Sequence, residues 1–293
     1  MKRAGFTNIW LPVSLLLPQL SIIAIFFYWP AGWAVQSSFY LQDPFGFGST
    51  FVGLDNYTDL GRNSEYMRIA WFTVVYTTLV TLFSLGIALL LAVKADKVIR
   101  GARTYRTLLM WVYAVAPPVA GFMGIMFFDQ RTGPITDLFG VFGWDYKMGV
   151  NYNETATAMV IAAVWKQIPV NFIFFLSGLQ SIPRSVNEAA MIDNRSATGR
   201  FWQVTFPLLA PTTFFLLIIN ITYALFDTFG IIDTLLKGEP GNNPMTLVYK
   251  VYLDGFRGND LGGSSAQSVI LMVLVLMLTV FQFRLIERRI HYT

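Results

Sequence analysis

The sequence predicts an all-α, polytopic membrane protein with six transmembrane helices, cytoplasmic termini and a helical cytoplasmic loop. Hydrophobic residues make up 55% of the chain and charged residues only 13%, which is a poor composition for a water-soluble domain. Six apolar runs approach the length needed to cross a bilayer. Basic residues concentrate in alternate connecting segments, as the positive-inside rule predicts for such a topology.

The residue types that are missing or rare exclude several kinds of site. The chain has no cysteine and a single histidine, His291. Disulfides, thiolate catalysis and cysteine-based metal sites are therefore impossible, and a histidine-dependent hydrolase or zinc enzyme would need more histidines. The basic residues behind the net charge of +4 are dispersed among apolar runs, so they indicate topology and not nucleic-acid binding.

The first apolar run follows Lys2 and Arg3 and is longer than the core of a cleaved signal peptide, so we interpret it as a retained span. Five further runs follow it. The predicted spans are residues 10–35, 70–93, 107–128, 156–179, 211–226 and 267–283. Three polar segments between them are predicted to be external: residues 36–68, 129–154 and 227–266.

The distribution of charge predicts which loops are internal. The clearest inside loop is 94–106, whose single acid, Asp96, is outnumbered by its cations: Lys94, Lys97, Arg100, Arg103 and Arg106. The remaining basic residues on that side are Lys2, Arg3, Arg184, Arg195, Arg200, Arg284, Arg288 and Arg289. Acids such as Asp55 and Asp260 fall in the other loops. This asymmetry predicts cytoplasmic termini.

The third predicted span carries Pro117 and Pro118 at its middle, with Gly121 and Gly124 shortly after. Such residues weaken the backbone hydrogen-bond ladder and allow neighbouring helices to approach closely. We favour a packing kink at this point, and a moving element of a translocation path is the alternative.

The segment 182–211 is the one long polar connection with a clear pattern. Ser185 and Glu188 have the spacing of a capping box, which predicts a short helix from about Val186 to Asp193 and Asn194. A second short helix is predicted over residues 195–204, before Pro207 leads into the fifth span. Without further information, the segment could be an interfacial loop that packs on its own bundle.

The same loop resembles the cytoplasmic signature of permease subunits of ATP-binding-cassette importers. The matching positions are Glu188, Ala189, Ala190, Asp193, Phe201 and Pro207. The resemblance implies that 182–211 is a coupling loop whose first helix sits in a cleft of an ATPase subunit. Asn194 and Arg195 depart from the Gly and Ala usual there; Asn tolerates a left-handed turn, whereas Arg195 adds a charge beside the implied interface.

Other segments extend the resemblance over nearly the whole chain. They include residues 29–32, 43–47, 51–56, 113–117, 164–168, 179–185, 226–229 and 265–269. These segments are similar to the first permease of sn-glycerol-3-phosphate importers, within the maltose-type class of carbohydrate importers. The resemblance implies that residues 1–293 form one permease domain in a bacterial inner membrane. The implied substrates are sn-glycerol-3-phosphate and glycerophosphodiesters, and a neutral sugar or polyol is the alternative.

The resemblance also implies the partners of such a permease: a second related permease, an ATPase subunit dimer and an external (periplasmic) substrate-binding protein. The chain itself has no phosphate-binding glycine loop, so we expect no enzyme activity or cofactor here, with ATP and Mg bound by the partner ATPase. A gradient-driven carrier would need carboxylates in mid-span, and a membrane enzyme would need clustered nucleophile, base or metal ligands. The sequence offers neither arrangement.

Lys166 is the cation in the predicted spans that most needs a role, because a charge within a span is costly and normally faces a cavity or a partner. It could attract an anionic substrate, or it could snorkel or pair with Asp227. Four polar residues could line a path with it: Gln167, Asn171, Tyr113 and Asn220. Each of the four could equally form an interhelical hydrogen bond.

Overall fold

The computed structural model describes residues 10–43, 48–96, 102–193, 196–238, 241 and 243–287. In these ranges the regular secondary structure is helical apart from one short β-hairpin, which confirms the predicted all-α membrane fold. Also in these ranges, five helical runs could each cross a membrane, and a bent helix pair could form a sixth span. Two compact units are present, residues 1–66 with 251–274 and residues 67–250 with 275–293. The cytoplasmic termini stay a prediction.

The first span is one continuous helical run of 28 residues. It consists of α1 (Trp10–Ile23), a π-helical turn (Ala24–Tyr28) and α2 (Trp29–Ser37). None of the residues in its most apolar window is buried within this chain. Because a helix that is apolar on all sides is normally enclosed by lipid or protein, this span requires a surrounding that the chain itself does not supply.

The segment after the first span is folded, where the sequence suggested only a polar external loop. It contains β1 (Tyr40–Gln42), which pairs antiparallel with β2 (Ser49–Phe51), and then α3 (Asp55–Arg62). The amide of Asn56 donates hydrogen bonds to the carbonyls of Ser38 and Tyr40 at 2.8 and 3.2 Å. The Tyr57 hydroxyl donates to Ser38 Oγ at 2.7 Å. These bonds tie α3 to the end of the first span.

The second span is α4 (Ser64–Asp96), and the third consists of α5 (Ala102–Trp111), a 3-10 turn (Val112–Ala114) and α6 (Pro117–Phe128). The two halves of the third span meet at 103°, so the predicted packing kink is a complete break. Ala116 is extended (φ −64°, ψ 146°) because a residue before proline is sterically disfavoured in the helical region. Pro117 and Pro118 then begin α6, where their missing N–H groups are tolerated.

The segment between the third and fourth spans, predicted to be a polar external loop over 129–154, contains a helix. This helix is α7 (Pro134–Val141), and α8 (Tyr152–Ser181) then forms the fourth span. Ile135 and Phe139 of α7 pack against Phe128, Tyr146 and Ala158. This small apolar cluster gives the segment a core of its own.

The rest of the chain contains the fifth and sixth spans. The elements are α9 (Arg184–Asp193), α10 (Ala197–Arg200), a π-helical turn (Phe201–Thr205), α11 (Phe206–Leu208), α12 (Ala210–Thr222), a second π-helical turn (Tyr223–Asp227), α13 (Phe229–Leu235), α14 (Leu247–Tyr252), a third π-helical turn (Leu253–Arg257) and α15 (Leu261–Glu287). The fifth span is Ala210–Asp227, and α15 provides the sixth. Five of the six predicted spans are thus confirmed in order, and the third corresponds to the bent helix pair.

Part of the stretch after the fifth span packs closely against a span, while the external position predicted for 227–266 stays a prediction. Ile231 and Ile232 of α13 are fully buried. A Cβ atom on Gly121 of α6 would lie 2.7 Å from the carbonyl oxygen of Ile231 and 2.8 Å from Thr234 Cβ. The backbones of α6 and α13 therefore touch where the two helices cross, and the missing side chain of Gly121 permits this close approach.

Candidate functional site

The helix α9 carries the residues that resemble a coupling signature. It begins at Arg184, directly after Pro183, whose carbonyl accepts a hydrogen bond from the Val186 N–H at 3.1 Å. Ser185 therefore lies inside the first turn, and the predicted capping box at the helix start is wrong. The described part of the helix extends to Asp193; Asn194, Arg195 and the Asp193 side chain, and with them the predicted end of the helix, lie outside the described part of the chain.

The two sides of α9 differ in burial. Ala190 is buried, whereas Glu188 and Ala189 are exposed. Ile192 is 84% exposed and Met191 is also exposed. A short helix that buries a small side chain and presents a carboxylate with two large apolar side chains is suited to contact another protein, because apolar groups are rarely left in water without a partner.

A cavity of about 490 Å³ separates α9 from the ends of two spans. Its lining includes Asp96, Leu179, Ala190, Met191, Arg200 and Phe201. Phe201 also belongs to an aromatic group, with its ring centroid 5.2 Å from Trp202 and 6.2 Å from Phe206. Pro207 is exposed and follows this group within α11. The predicted residues Ala190 and Phe201 thus share one pocket at the base of α4 and α8.

The helices on either side of this loop are joined by a buried amide pair. Asn171 of α8 and Asn220 of α12 exchange two hydrogen bonds of 2.9 and 2.7 Å. Ser84 Oγ of α4 donates to Asn220 Oδ1 at 2.7 Å, and Asn220 Nδ2 also donates to the carbonyl of Leu216 at 2.7 Å. All three polar side chains are fully buried. The interhelical alternative for Asn171 and Asn220 is therefore present, and we call this set the amide clamp.

Two further contacts hold α8 and α12 together on either side of the amide clamp. The Tyr223 hydroxyl donates to the carbonyl of Ala163 at 3.1 Å. Toward the other end, a Cβ atom on Gly178 would lie 2.9 Å from Leu209 Cδ2, so only a glycine fits between the helices without rearrangement. The hairpin α8 to α12, which carries α9 between its arms, is therefore fastened at three levels.

Lys166 lies next to the break in the third span. Its Nζ is 3.4 Å from the carbonyl oxygen of Tyr113 and 5.7 Å from the centroid of the Tyr113 ring. An α-helix would pair that carbonyl with the N–H of the residue four positions later, but that residue is Pro117, which has no N–H. The lysine ammonium therefore faces an oxygen atom that the proline left without its helical partner.

This contact leaves most of the donor capacity of Lys166 unused. The side chain is only 8% exposed, and 3.4 Å is longer than a typical hydrogen bond. Within the described ranges, no carboxylate lies at ion-pair distance from Lys166, so the alternative pair with Asp227 is not formed. Gln167 is also buried, while Tyr113 is exposed. An ammonium with spare donors beside a helix break can receive an anion.

In the described part of the chain, the contacts of the candidate path residues form two groups. Lys166 contacts Tyr113, and Asn171 contacts Asn220. A groove of about 940 Å³ between α4 and α8 is lined by other side chains, among them Arg68, Trp71, Trp165 and Ile168. The sequence did not predict that Ser84 and Tyr223 form hydrogen bonds between the spans. A hydroxyl group within an apolar run could have indicated such a role for Ser84.

Comparisons with known proteins agree over most or all of the chain. A family model described as "Binding-protein-dependent transport system inner membrane component" matches residues 84–292. The sn-glycerol-3-phosphate transport system permease protein UgpA of Brucella abortus biovar 1 is 49% identical over 293 residues, covering 100% of both chains. Its namesakes are 48% identical in Rhizobium meliloti, covering 100% of both chains, and 47% identical in Salmonella typhi, covering 99% of both.

Solved structures share the fold at low identity. Two structures of a bacterial alginate ABC transporter match with TM-scores of 0.78 and 0.77 at 18% and 19% identity. Each match covers 95% of this chain. The first covers 94% of the transporter chain and the second covers 96%. The MetNI methionine ABC transporter matches with a TM-score of 0.55 at 15% identity, covering 77% of this chain and 96% of that chain.

Proposed function

The chain belongs to the family of binding-protein-dependent transport system inner membrane components, and from this premise we propose that it is a permease subunit of an ATP-driven importer of sn-glycerol-3-phosphate. Identity of 47–49% to the sn-glycerol-3-phosphate permeases of three bacteria, over 99–100% of both chains, supports this substrate. Glycerophosphodiesters share the glycerol phosphate unit, as an anionic diester, and are proposed as further substrates.

The exposed face of α9 is the observation on which the proposed coupling role depends most. Glu188, Met191 and Ile192 lie on the outside of a short helix seated at the base of the spans. We assign this face to a cytoplasmic ATPase subunit, which binds ATP and Mg and drives transport when its dimer closes. The permease itself then has no enzymatic role and no cofactor.

Movement of α9 would reach the membrane through the hairpin of α8 and α12. The amide clamp and the Tyr223 contact join these two helices, so a displacement of the loop between them moves both together. Such a rigid-body transfer converts closure of an ATPase dimer into rearrangement of membrane helices. Phe201 and Pro207 lie in the connection between α9 and α12 and would transmit the force.

Two further partners complete the proposed importer. A second, related permease is required because translocation paths of this kind lie between two permeases, and the first span of this chain buries none of its apolar window within the chain. An external substrate-binding protein would deliver the substrate to the side opposite α9. The alginate transporter structure that includes a ligand-bound periplasmic protein supports this arrangement.

The ammonium of Lys166 is proposed to attract the phosphate of the substrate during passage. Its spare donors and its position beside the break support this role, because charge-assisted hydrogen bonds to phosphate are stronger than neutral ones. Gln167 and Tyr113 are proposed as neighbouring polar groups on the path. Asn171 and Asn220 are proposed to act by holding α8 and α12 in register.

Substrate-stimulated ATP hydrolysis tests this function. The complete complex in lipid vesicles would receive its binding protein loaded with glycerol-3-phosphate, loaded with a neutral disaccharide, or empty as the control. We expect stimulation by the phosphate-loaded protein alone. Stimulation by the disaccharide alone would keep the importer class and overturn the substrate. The absence of any response would overturn the importer assignment.

A further inference from the structure

Helix α7 is apolar on two opposite sides, although it lies outside the spans. One side packs Ile135 and Phe139 onto the cluster of Phe128, Tyr146 and Ala158. The other side exposes Leu138 and Val141, and the adjoining Phe142 is exposed as well, with Val141 at 82% and Phe142 at 80%. Adjoining large apolar side chains on a surface normally have a partner, so the exposed side requires something to cover it.

The depth of α7 relative to the bilayer follows from the helix beneath it. Helix α8 has 30 residues and is therefore about 45 Å long, about 15 Å more than the hydrocarbon core. If the excess is shared equally, each end of α8 projects by about 7 Å beyond the hydrocarbon. Ala158, against which the α7 cluster packs, lies about 9 Å along the helix from Tyr152. The inner side of α7 is thus level with the hydrocarbon boundary.

Hydrogen bonds and ring contacts fix the segment between α6 and α8 to the ends of these two helices, and they hold α7 at this level. Trp144 Nε1 donates to a carboxylate oxygen of Glu154 at 3.3 Å, and the Lys147 N–H donates to the other. The rings of Tyr146 and Phe139 are 5.2 Å apart, and those of Tyr146 and Phe128 are 5.4 Å apart. Each of these contacts joins the segment to the ends of α6 and α8 or to α7 itself.

From this position and exposure we infer that α7 is an interfacial membrane anchor. Its Leu138, Val141 and Phe142 side chains insert into the boundary between phospholipid headgroups and acyl chains, where a helix can lie in the plane of the membrane with its apolar side buried. Asp137 adjoins this face and reaches the headgroup water, and the aromatic Trp144 suits the same layer. The partner of this surface is the lipid bilayer, not a protein.

The anchor fixes the outer ends of α6 and α8 laterally in the membrane. Both helices end in the same small core, so a common anchor limits how far one can move relative to the other. Since α8 also carries Lys166 and α6 begins at the break beside it, the anchor provides a fixed end against which the rest of the hairpin can move. This inference does not depend on which substrate is transported.

Site-directed spin labelling tests the anchor, and the absence of cysteine from this chain makes each introduced label unique within it. The variants Val141→Cys and Phe142→Cys would be labelled with a nitroxide in the assembled complex, with the other subunits made cysteine-free. The complex would be placed in vesicles of phosphatidylethanolamine and phosphatidylglycerol. Asp145→Cys serves as the matched control, since Asp145 is 78% exposed on the same segment but polar.

The accessibility of each label to oxygen, which concentrates in lipid, would be compared with its accessibility to a water-soluble nickel complex. We expect oxygen to dominate at Val141 and Phe142, and the nickel complex to dominate at Asp145. Preference for nickel at all three positions would overturn the anchor, because α7 would then lie in water. Low accessibility to both reagents at Val141 and Phe142 would also overturn it, because a protein subunit would then cover the face.

Discussion

Two polar groups on α8 have opposite degrees of hydrogen-bond satisfaction. Asn171 belongs to the amide clamp, in which the side chains of Ser84, Asn171 and Asn220 bond one another at 2.7 to 2.9 Å. Lys166, on the same helix, has one long contact to the carbonyl of Tyr113. A satisfied buried cluster stabilises the fold, whereas a buried cation with spare donors is a site at which a ligand can be bound. We therefore expect Asn171 to hold the helices together and Lys166 to take part in transport.

The largest effect on stability is expected from Asn220→Leu. The substitution leaves Asn171 without its partner, and an unsatisfied buried polar group costs about 1 to 3 kcal/mol, while Ser84 keeps only its second acceptor, the carbonyl of Thr81. For a protein of this size the midpoint of thermal unfolding should fall by about 2 to 4 °C per kcal/mol. Thermal unfolding of the purified complex in detergent measures the change. An unchanged midpoint would show that the amide clamp does not hold α8 and α12.

The double variant Asn171→Leu with Asn220→Leu sharpens this test. Replacing both partners by apolar groups removes the unsatisfied amide, so the double variant should be more stable than Asn220→Leu alone. Additive losses would instead indicate that the two side chains act independently. Transport is expected to fall in both variants, since correct register of α8 and α12 is needed to move the spans.

A smaller effect on stability, with a selective loss of transport, is expected from Lys166→Met. The substitution keeps the length of the side chain but removes its charge, and hydrogen bonds to charged groups contribute about 1.5 to 3 kcal/mol. Uptake of glycerol-3-phosphate should fall by about tenfold or more, while the yield of assembled complex stays near wild type. Lys166→Arg, which retains the charge, is the control. Equal losses of uptake and assembly would make Lys166 a structural residue.

The smallest effect is expected at a polar group in water, Asp129. Its carboxylate accepts hydrogen bonds from the N–H groups of Arg131 and Thr132, and these bonds hold the pKa of Asp129 below its usual value of 3.8. Folding lowers the pKa of Asp129, so its ionised carboxylate stabilises the folded state above pH 3.8. This stabilisation is lost as the pH falls through the lowered pKa of the folded state. Thermal unfolding of Asp129→Asn should differ slightly from wild type at pH 7.

Thermal unfolding of the same two proteins at acid pH checks the role of the Asp129 charge. As the pH falls through the lowered pKa, the difference between wild type and Asp129→Asn should disappear, because the wild-type carboxyl group is then neutral as well. A difference that is independent of pH would show that the charge of Asp129 has no part in holding the turn.

The sequence predicted five of the spans and their order, because long apolar runs report burial in lipid directly, but it did not predict that the third would be a bent helix pair. It placed the start of α9 too late, because the helix begins at Arg184, directly after Pro183, and the capping-box spacing of Ser185 and Glu188 is incidental. Helices α13 and α14 were not predicted, since their surrounding glycines and polar residues resemble a loop. Tertiary contacts, such as the approach of α13 to Gly121, decide their burial.

The contacts of the candidate site were predictable only in part. The unpaired carbonyl of Tyr113 follows from Pro117, since a proline removes the donor four residues later. That Lys166 points toward this carbonyl depends on how α8 packs beside the broken span, and no spacing in the sequence reports this. Likewise, Asn171 and Asn220 were identified as polar groups, but their pairing and the part of Ser84 required the three-dimensional arrangement of α4, α8 and α12.

The most direct test of the account is glycerol-3-phosphate uptake by the complete complex carrying Glu188→Ala, measured together with recovery of all subunits. The variant removes a carboxylate from the exposed face of α9 and touches no buried contact of the described residues, so assembly should be unchanged. If the face couples ATP hydrolysis to transport, uptake should fall by about 5- to 150-fold, the usual range for coupling between two sites. Uptake at the wild-type level in an intact complex would contradict the coupling role of α9.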